Sequence, residues 1–194
     1  MELSDPLKIT KRLTDVLDGL GIRYLVGGSL ASSLHGIPRA TQDADVVAEI
    51  RVSHLSILEE RLSASFYFDV EMALKAIGVQ SSFNIIDKKD LFKIDIFVAK
   101  SDELSVEEMN HRVLHSLADE PGQSMYVCGP EDIIAHKLYW YKLGEGVSER
   151  QWRDAINVIK VQRERLDIGY LKRMCAGRNV GALLEKALAE SVGD

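Results

Sequence analysis

The stretch that decides the fold is YLVGGSLASSLHGIPRATQDADVVAEI, residues 24–50. An apolar run stops at Gly27, Gly28 and Ser29. Room for about two helical turns follows, closed by Gly36, and then Asp43-Ala44-Asp45 leads straight into Val46 and Val47. A short apolar run bounded by glycines reads as a buried strand, and the β-branched DADVVAEI segment reads as a second one. Residues i and i+2 of a strand share a face, so Asp43 and Asp45 project together, with α-carbons ~7 Å apart.

Working outward, Ser4-Asp5-Pro6 is a helix start, with Leu13, Val16, Leu17 and Leu20 at helical spacing and Gly19 and Gly21 as the stop. HLSILEERLSASF carries Leu55, Leu58 and Leu62 on one helical face; FYFDV predicts a third strand and MALKAIG a short helix. Two apolar runs flank Asp87-Lys88-Lys89-Asp90, a hairpin pattern, and RVLHSLADEPGQSMYVCG predicts another hairpin turning at Glu120-Pro121-Gly122-Gln123. After Gly129-Pro130 four segments in a row have helical periodicity and none reads as a strand. The expected fold is α/β, a small mixed sheet with helices on one side followed by a helical C-terminal part. The expected division is an α/β domain over 1–129 and a helical subdomain over 130–194, with an active cleft between them.

A third acid, Asp95, lies in the apolar strand segment KIDIFVA. An ionised carboxylate in such a place needs compensation. Should the hairpin strand pair beside the DAD strand, three carboxylates converge, and a divalent cation is one way to offset them. All-oxygen donors suit Mg²⁺ or Mn²⁺ rather than zinc. Backbone N–H groups at a helix start behind two glycines form a phosphate cradle, although a tight turn explains the glycines equally well.

Taken in this order, Gly27-Gly28-Ser29, Asp43-x-Asp45 and then Asp95 resemble the nucleotidyltransferase superfamily that shares its fold with DNA polymerase β. GIPRATQDADVV is especially similar to its small bacterial branch, which includes AbiE-type toxins and minimal nucleotidyltransferases, and PEDIIAHKL at 130–138 is similar to the opening of that branch's helical half. The resemblance spans about residues 20–160. It implies that Gly27, Gly28 and Ser29 hold the phosphates of an NTP such as ATP, and that Asp43, Asp45 and Asp95 are the catalytic metal-binding acids. It further implies that Arg39 and Lys137 contact the nucleotide. Read alone, Lys137 is an ordinary solvated helix lysine, and Arg39 and Thr41 fit a solvated loop as well as a phosphate or carboxylate contact. Asp154 resembles the start of a late RDxxD pattern, but Asn157 stands where the second acid would be.

The implied activity is transfer of a nucleoside monophosphate to an acceptor hydroxyl or phosphate of tRNA, a protein or a small cationic molecule. A toxin role with an antitoxin partner is also implied. A catalytically silent nucleotide-binding or protein-interaction module on the same fold is the alternative. A net charge of −6 gives no footprint for general nucleic-acid binding. No apolar run is long enough for a membrane span and the start lacks a signal-peptide core, so the expected location is the cytoplasm. Cys128 and Cys175 read as buried free thiols. His111 and His115 sit among residues that read as strand, without an HExxH acid, so zinc is set aside. Tyr139, Trp140, Tyr141 and Trp152 fit helix packing better than base stacking.

Overall fold

A computed structural model describes residues 5–117 and 123–192. Among them the chain divides into two compact units, one made of residues up to Leu30 together with Thr41–Val127, the other of Ala31–Ala40 and the chain from Cys128 onward.

The first unit is built on one seven-stranded mixed sheet. In chain order its strands are β1 (Tyr24–Val26), β2 (Asp43–Ala48), β3 (Phe66–Phe68), β4 (Ser82–Asp87), β5 (Lys93–Val98), β6 (Val113–Ser116) and β7 (Ser124–Val127). Their order across the sheet is β3-β4-β5-β2-β1-β7-β6. β2 runs parallel to β5 and β1 parallel to β7, and the remaining neighbours are antiparallel. Strict alternation sorts the central strands into two faces. Ala44, Val46 and Ala48 of β2, Phe83 and Ile85 of β4, and Ile94, Ile96 and Val98 of β5 are buried. Packed with these strands are α1 (Asp5–Gly19), α3 (Leu55–Leu62) and α4 (Val70–Val79), which bring Leu13, Leu17, Leu55, Leu58, Leu62, Ala73 and Ala76 into the same core. Asp43, Asp45, Asn84, Lys93 and Asp95 alternate onto the other, half-exposed face.

The β4–β5 hairpin is held at its turn by Asp87. Its Oδ1 accepts from the backbone N–H groups of Lys89 (3.1 Å) and Asp90 (2.8 Å), and its Oδ2 from Arg12 of α1 (2.6 Å). The polar DKKD segment is therefore a turn whose first acid is a fully buried staple.

In the second unit, α6 (Pro130–Leu143), α7 (Glu149–Gln162), α8 (Ile168–Gly177) and α9 (Gly181–Val192) pack around Ile133, Ile134, Leu138, Ala155, Val158, Ile159, Leu171, Met174 and Leu184. Pro130 fits the first turn of α6, where its missing N–H removes no helix hydrogen bond. Glu131 and Asp132 join α6 to α8 by accepting from the Asp167 N–H and the Tyr170 hydroxyl, both at 2.8 Å. Helix α2 (Gly28–His35), from the N-terminal part of the sequence, ends in the second unit, where Gly36 lies against α7. A Cβ at Gly36 would stand 3.1 Å from the Val158 nitrogen and 3.2 Å from the Asn157 carbonyl carbon.

Three local expectations change. Residues 103–111, given no element by the sequence reading, form α5 (Glu103–His111), capped by Asp102, which accepts from the Ser105 N–H. His111 thus ends a helix and only His115 lies on a strand. The FYFDV strand stops at Phe68, because Asp69 caps α4 by accepting from the Met72 N–H at 3.0 Å. The helix over MALKAIG is correspondingly longer, beginning at Val70. The Ser4 cap and most of the turn expected at 120–123 lie outside the described residues. Cys128 and Cys175 are both buried and unbridged, as expected. No described helix is long and apolar enough to cross a membrane.

Replacing Asp87 with Ala strands the Arg12 guanidinium and two turn N–H groups. Urea denaturation should show a loss of about 2–3 kcal/mol, and an unchanged midpoint would count against the stapling role.

Candidate functional site

β2 and β5 pair in parallel with Asp45 opposite Asp95 and Asp43 opposite Lys93. The three acids expected from sequence therefore share one patch of one sheet face, each partly exposed. Asn84 of β4 lies opposite Asp95 on the other side and extends this polar strip. Thr41, immediately before β2, donates its hydroxyl to the Asp43 carbonyl (2.9 Å) and stands 3.3 Å from Asp43 Oδ1. The shorter of the two contacts is to the backbone carbonyl, and the carboxylate oxygen is the longer.

The glycine turn meets these acids directly. The Gly27 N–H donates to the Asp45 carbonyl at 2.8 Å and prolongs the β1–β2 ladder. Gly28 has φ +57°, and a Cβ built on it would fall 1.7 Å from Asp45 Oδ2 and 2.6 Å from its Cγ. Only glycine fits there, for reasons of both conformation and space. Gly27, by contrast, would meet only ordinary contacts at 3.9 Å. Ser29 follows in the first turn of α2.

Lys93 is the residue that sequence reasoning passed over. Its Nζ lies 2.6 Å from Asp95 Oδ2. The hydrogen bond to Asp95 raises the Lys93 pKa; burial opposes it, and the negative charges of Asp95, Asp43 and Asp45 add to the rise. The signal was in the sequence, since Lys93 precedes Asp95 by two positions on one strand and so must share its face.

Within the second unit, Arg39 and Lys137 are gathered by Asp154. Arg39 is bidentate, Nε to Oδ1 at 2.9 Å and Nη2 to Oδ2 at 2.8 Å. Lys137 Nζ lies 2.9 Å from Oδ2, and Ser32 Oγ donates to it at 3.4 Å. Lys137 is only 4% exposed, unlike an ordinary solvated helix lysine. Burial alone would push the Asp154 carboxyl upward; the hydrogen bonds and charges of Arg39 and Lys137 outweigh it and hold the group below the usual carboxylate range. Of the aromatic cluster, Tyr141 and Trp152 pack ring on ring at 5.0 Å, and Tyr139 meets Trp140 edge-on at 6.3 Å. The Lys186 ammonium lies over the Trp152 ring.

The carboxylate set suits a hard divalent cation in kind, with three oxygen-donor side chains on neighbouring strands and a glycine that leaves Asp45 its space. Among the described residues no three His, Cys, Asp or Glu side chains are drawn together closely enough to hold an ion. In this conformation Asp95 is turned onto Lys93.

The sequence matches no protein-family model and no curated protein. Several solved structures share its fold. An antigenic nucleotidyltransferase-like protein from Paracoccidioides brasiliensis aligns with a TM-score of 0.58 and 20% identity, over 96% of this chain and 93% of that one. The antibiotic-resistance factor ANT(2″)-Ia, in complex with adenylyl-2″-tobramycin, aligns at 0.57 and 15% over 91% and 98%. Its solution structure aligns at 0.53 and 14% over 96% and 97%. The chain has the nucleotidyltransferase fold, a mixed sheet with flanking helices and a helical C-terminal part.

Two substitutions test this geometry. Gly28→Ala should cost about 1–3 kcal/mol in chemical denaturation. Part of that loss should return in Gly28→Ala/Asp45→Ala, because the clash is with the Asp45 carboxylate; strict additivity would contradict the contact. Asp154→Asn leaves two cations around a neutral amide, for a loss of about 3 kcal/mol at neutral pH. A carboxylate with a depressed folded-state pKa contributes stability above its unfolded pKa and loses it as pH falls through the folded value. The gap between wild type and Asp154→Asn should therefore be constant near neutrality and close below about pH 4, as read from melting temperature against pH.

Proposed function

We propose that this protein is a metal-dependent nucleotidyltransferase that moves a nucleoside monophosphate from an NTP to an acceptor hydroxyl or phosphate and releases pyrophosphate. The observation that carries this reading is the register of Asp45 against Asp95, with Asp43 on the same face and Gly28 against the Asp45 carboxylate. Bound Mg²⁺ or Mn²⁺ would supply charge stabilisation for the attacking and leaving oxygens of an in-line displacement.

In this reading Asp43 and Asp45 would hold the ions, and Thr41 braces Asp43 through its backbone carbonyl. Asp95 completes the metal set and accepts the proton of the acceptor hydroxyl. The N–H groups around Gly28 and Ser29, at the start of α2, receive phosphate oxygens, which the helix dipole favours. Arg39 and Lys137 are the further residues assigned to nucleotide contact, held to each other by Asp154. The catalytic domain is assigned to residues 1–129 and a helical subdomain to 130–194. A net charge of −6 and a carboxylate-lined sheet face favour a small cationic acceptor over a polyanion. The adenylyl-tobramycin complex of ANT(2″)-Ia is a precedent for that class on this fold.

The test combines nucleotide-dependent thermal shifts with pyrophosphate release. With each NTP at about 100 times its Kd plus Mg²⁺, the melting temperature should rise by about 5–10 °C. Asp43→Asn/Asp45→Asn should abolish the rise. Pyrophosphate should appear on addition of an aminoglycoside such as tobramycin, and more slowly or not at all with tRNA. Binding without turnover against every acceptor would favour the catalytically silent module. No shift with any nucleotide would overturn the NTP reading.

A further inference from the structure

Four charged side chains form a two-by-two block on the half-exposed sheet face. Asp43 stands opposite Lys93 and Asp45 opposite Asp95, with the two acids of β2 on one side and the Lys–Asp pair of β5 on the other. Neighbours across the strands are ~4.8 Å apart and neighbours along a strand ~7 Å at the backbone, so one ammonium lies within reach of three carboxylates. It has chosen one of them: Lys93 Nζ is 2.6 Å from Asp95 Oδ2, and the two side chains are 45% and 23% exposed. The acid that would complete a metal set is thus already engaged by a cation belonging to the chain.

We infer that Lys93 is a tethered counter-ion that competes with the divalent cation for Asp95, so that the site is loaded by exchange of an ammonium for a metal ion. This rests on the metal-dependent reading above. The chemistry favours an exchangeable pair. Lysine is a point charge on a flexible four-carbon stem and forms no bidentate fork with a carboxylate. Ion pairs this open to water are weak, corresponding to a factor of about 2–5 in an equilibrium constant. Such a pair neutralises Asp95 when no metal is present and yields to an ion that can engage all three carboxylates at once. Its cost is a metal affinity lower, by the same factor, than the acids alone would give. A lysine that merely screened the sheet face would instead affect folding and leave metal affinity untouched.

The experiment is Mn²⁺ binding by titration calorimetry, without nucleotide, on wild type, Lys93→Gln, Lys93→Arg, Asp95→Asn and Lys93→Gln/Asp95→Asn, with circular dichroism to confirm folding. Lys93→Met, which keeps the aliphatic stem, replaces Lys93→Gln if that variant is unfolded. Removing the ammonium should tighten Mn²⁺ binding about 2–5-fold, while Lys93→Arg should stay within about 2-fold of wild type. In the Asp95→Asn background the same removal should have no effect. Wild type that binds Mn²⁺ as tightly as Lys93→Gln, or more tightly, overturns the counter-ion role alone. Failure of every protein to bind Mn²⁺ at millimolar concentration overturns the metal-dependent reading and this inference together.

Discussion

Two carboxylates standing in register on adjacent parallel strands are a repulsive arrangement, and much of the first unit is organised to hold it. Asp45 and Asp95 cannot separate without shifting β2 against β5, and that register is fixed from the opposite face. Ala44, Val46 and Ala48 interleave with Ile94, Ile96 and Val98 in the core. A slip of one residue would turn those apolar side chains outward and the acids inward. The hydrophobic core therefore enforces a proximity that electrostatics opposes. The acid face answers with the Lys93 ammonium, the Thr41 hydroxyl and partial exposure to water, which screens what remains.

The second unit meets the problem of buried charge differently. Glu131, Asp132, Lys137 and Asp154 are all nearly inaccessible to water. Each has a short polar contact with a fixed group: the Asp167 N–H, the Tyr170 hydroxyl, and the pairing of Lys137 and Arg39 on one carboxylate. Buried charges survive when their partners are as immobile as they are. Asp132 and Glu131 serve helix packing, which explains why an acidic first turn of α6 needs no ligand. The Arg39–Asp154–Lys137 group puts two cations on one anion, each held by a short contact to the same carboxylate.

Features carried by local spacing were legible in the sequence. The alternation in β2, the apolar runs flanking Asp87–Asp90 and the i, i+2 relation of Asp43 and Asp45 led to the strands, the hairpin and the shared face. Non-local features were not. The strand order depends on β1 lying between β2 and β7, and β1 and β7 come from distant parts of the chain and share only one register pair, Val26 with Val127. Asp154 lies 115 residues from Arg39, and no periodicity announces their fork. Helix α5 was missed because its apolar residues are sparse and its cap, Asp102, reads as one more polar residue in an acidic loop. Lys93 was missed for another reason: attention went to Asp95 as a carboxylate, although the face rule that paired Asp43 with Asp45 applies equally to Lys93.

The glycine pair illustrates how a motif resolves into unequal parts. Gly27 donates to the Asp45 carbonyl in extended pairing, where an alanine would be accommodated. Gly28 has a positive φ and leaves the Asp45 carboxylate the space a side chain would occupy. The turn thus does more than bring backbone N–H groups to one place; it fixes where the central acid can stand.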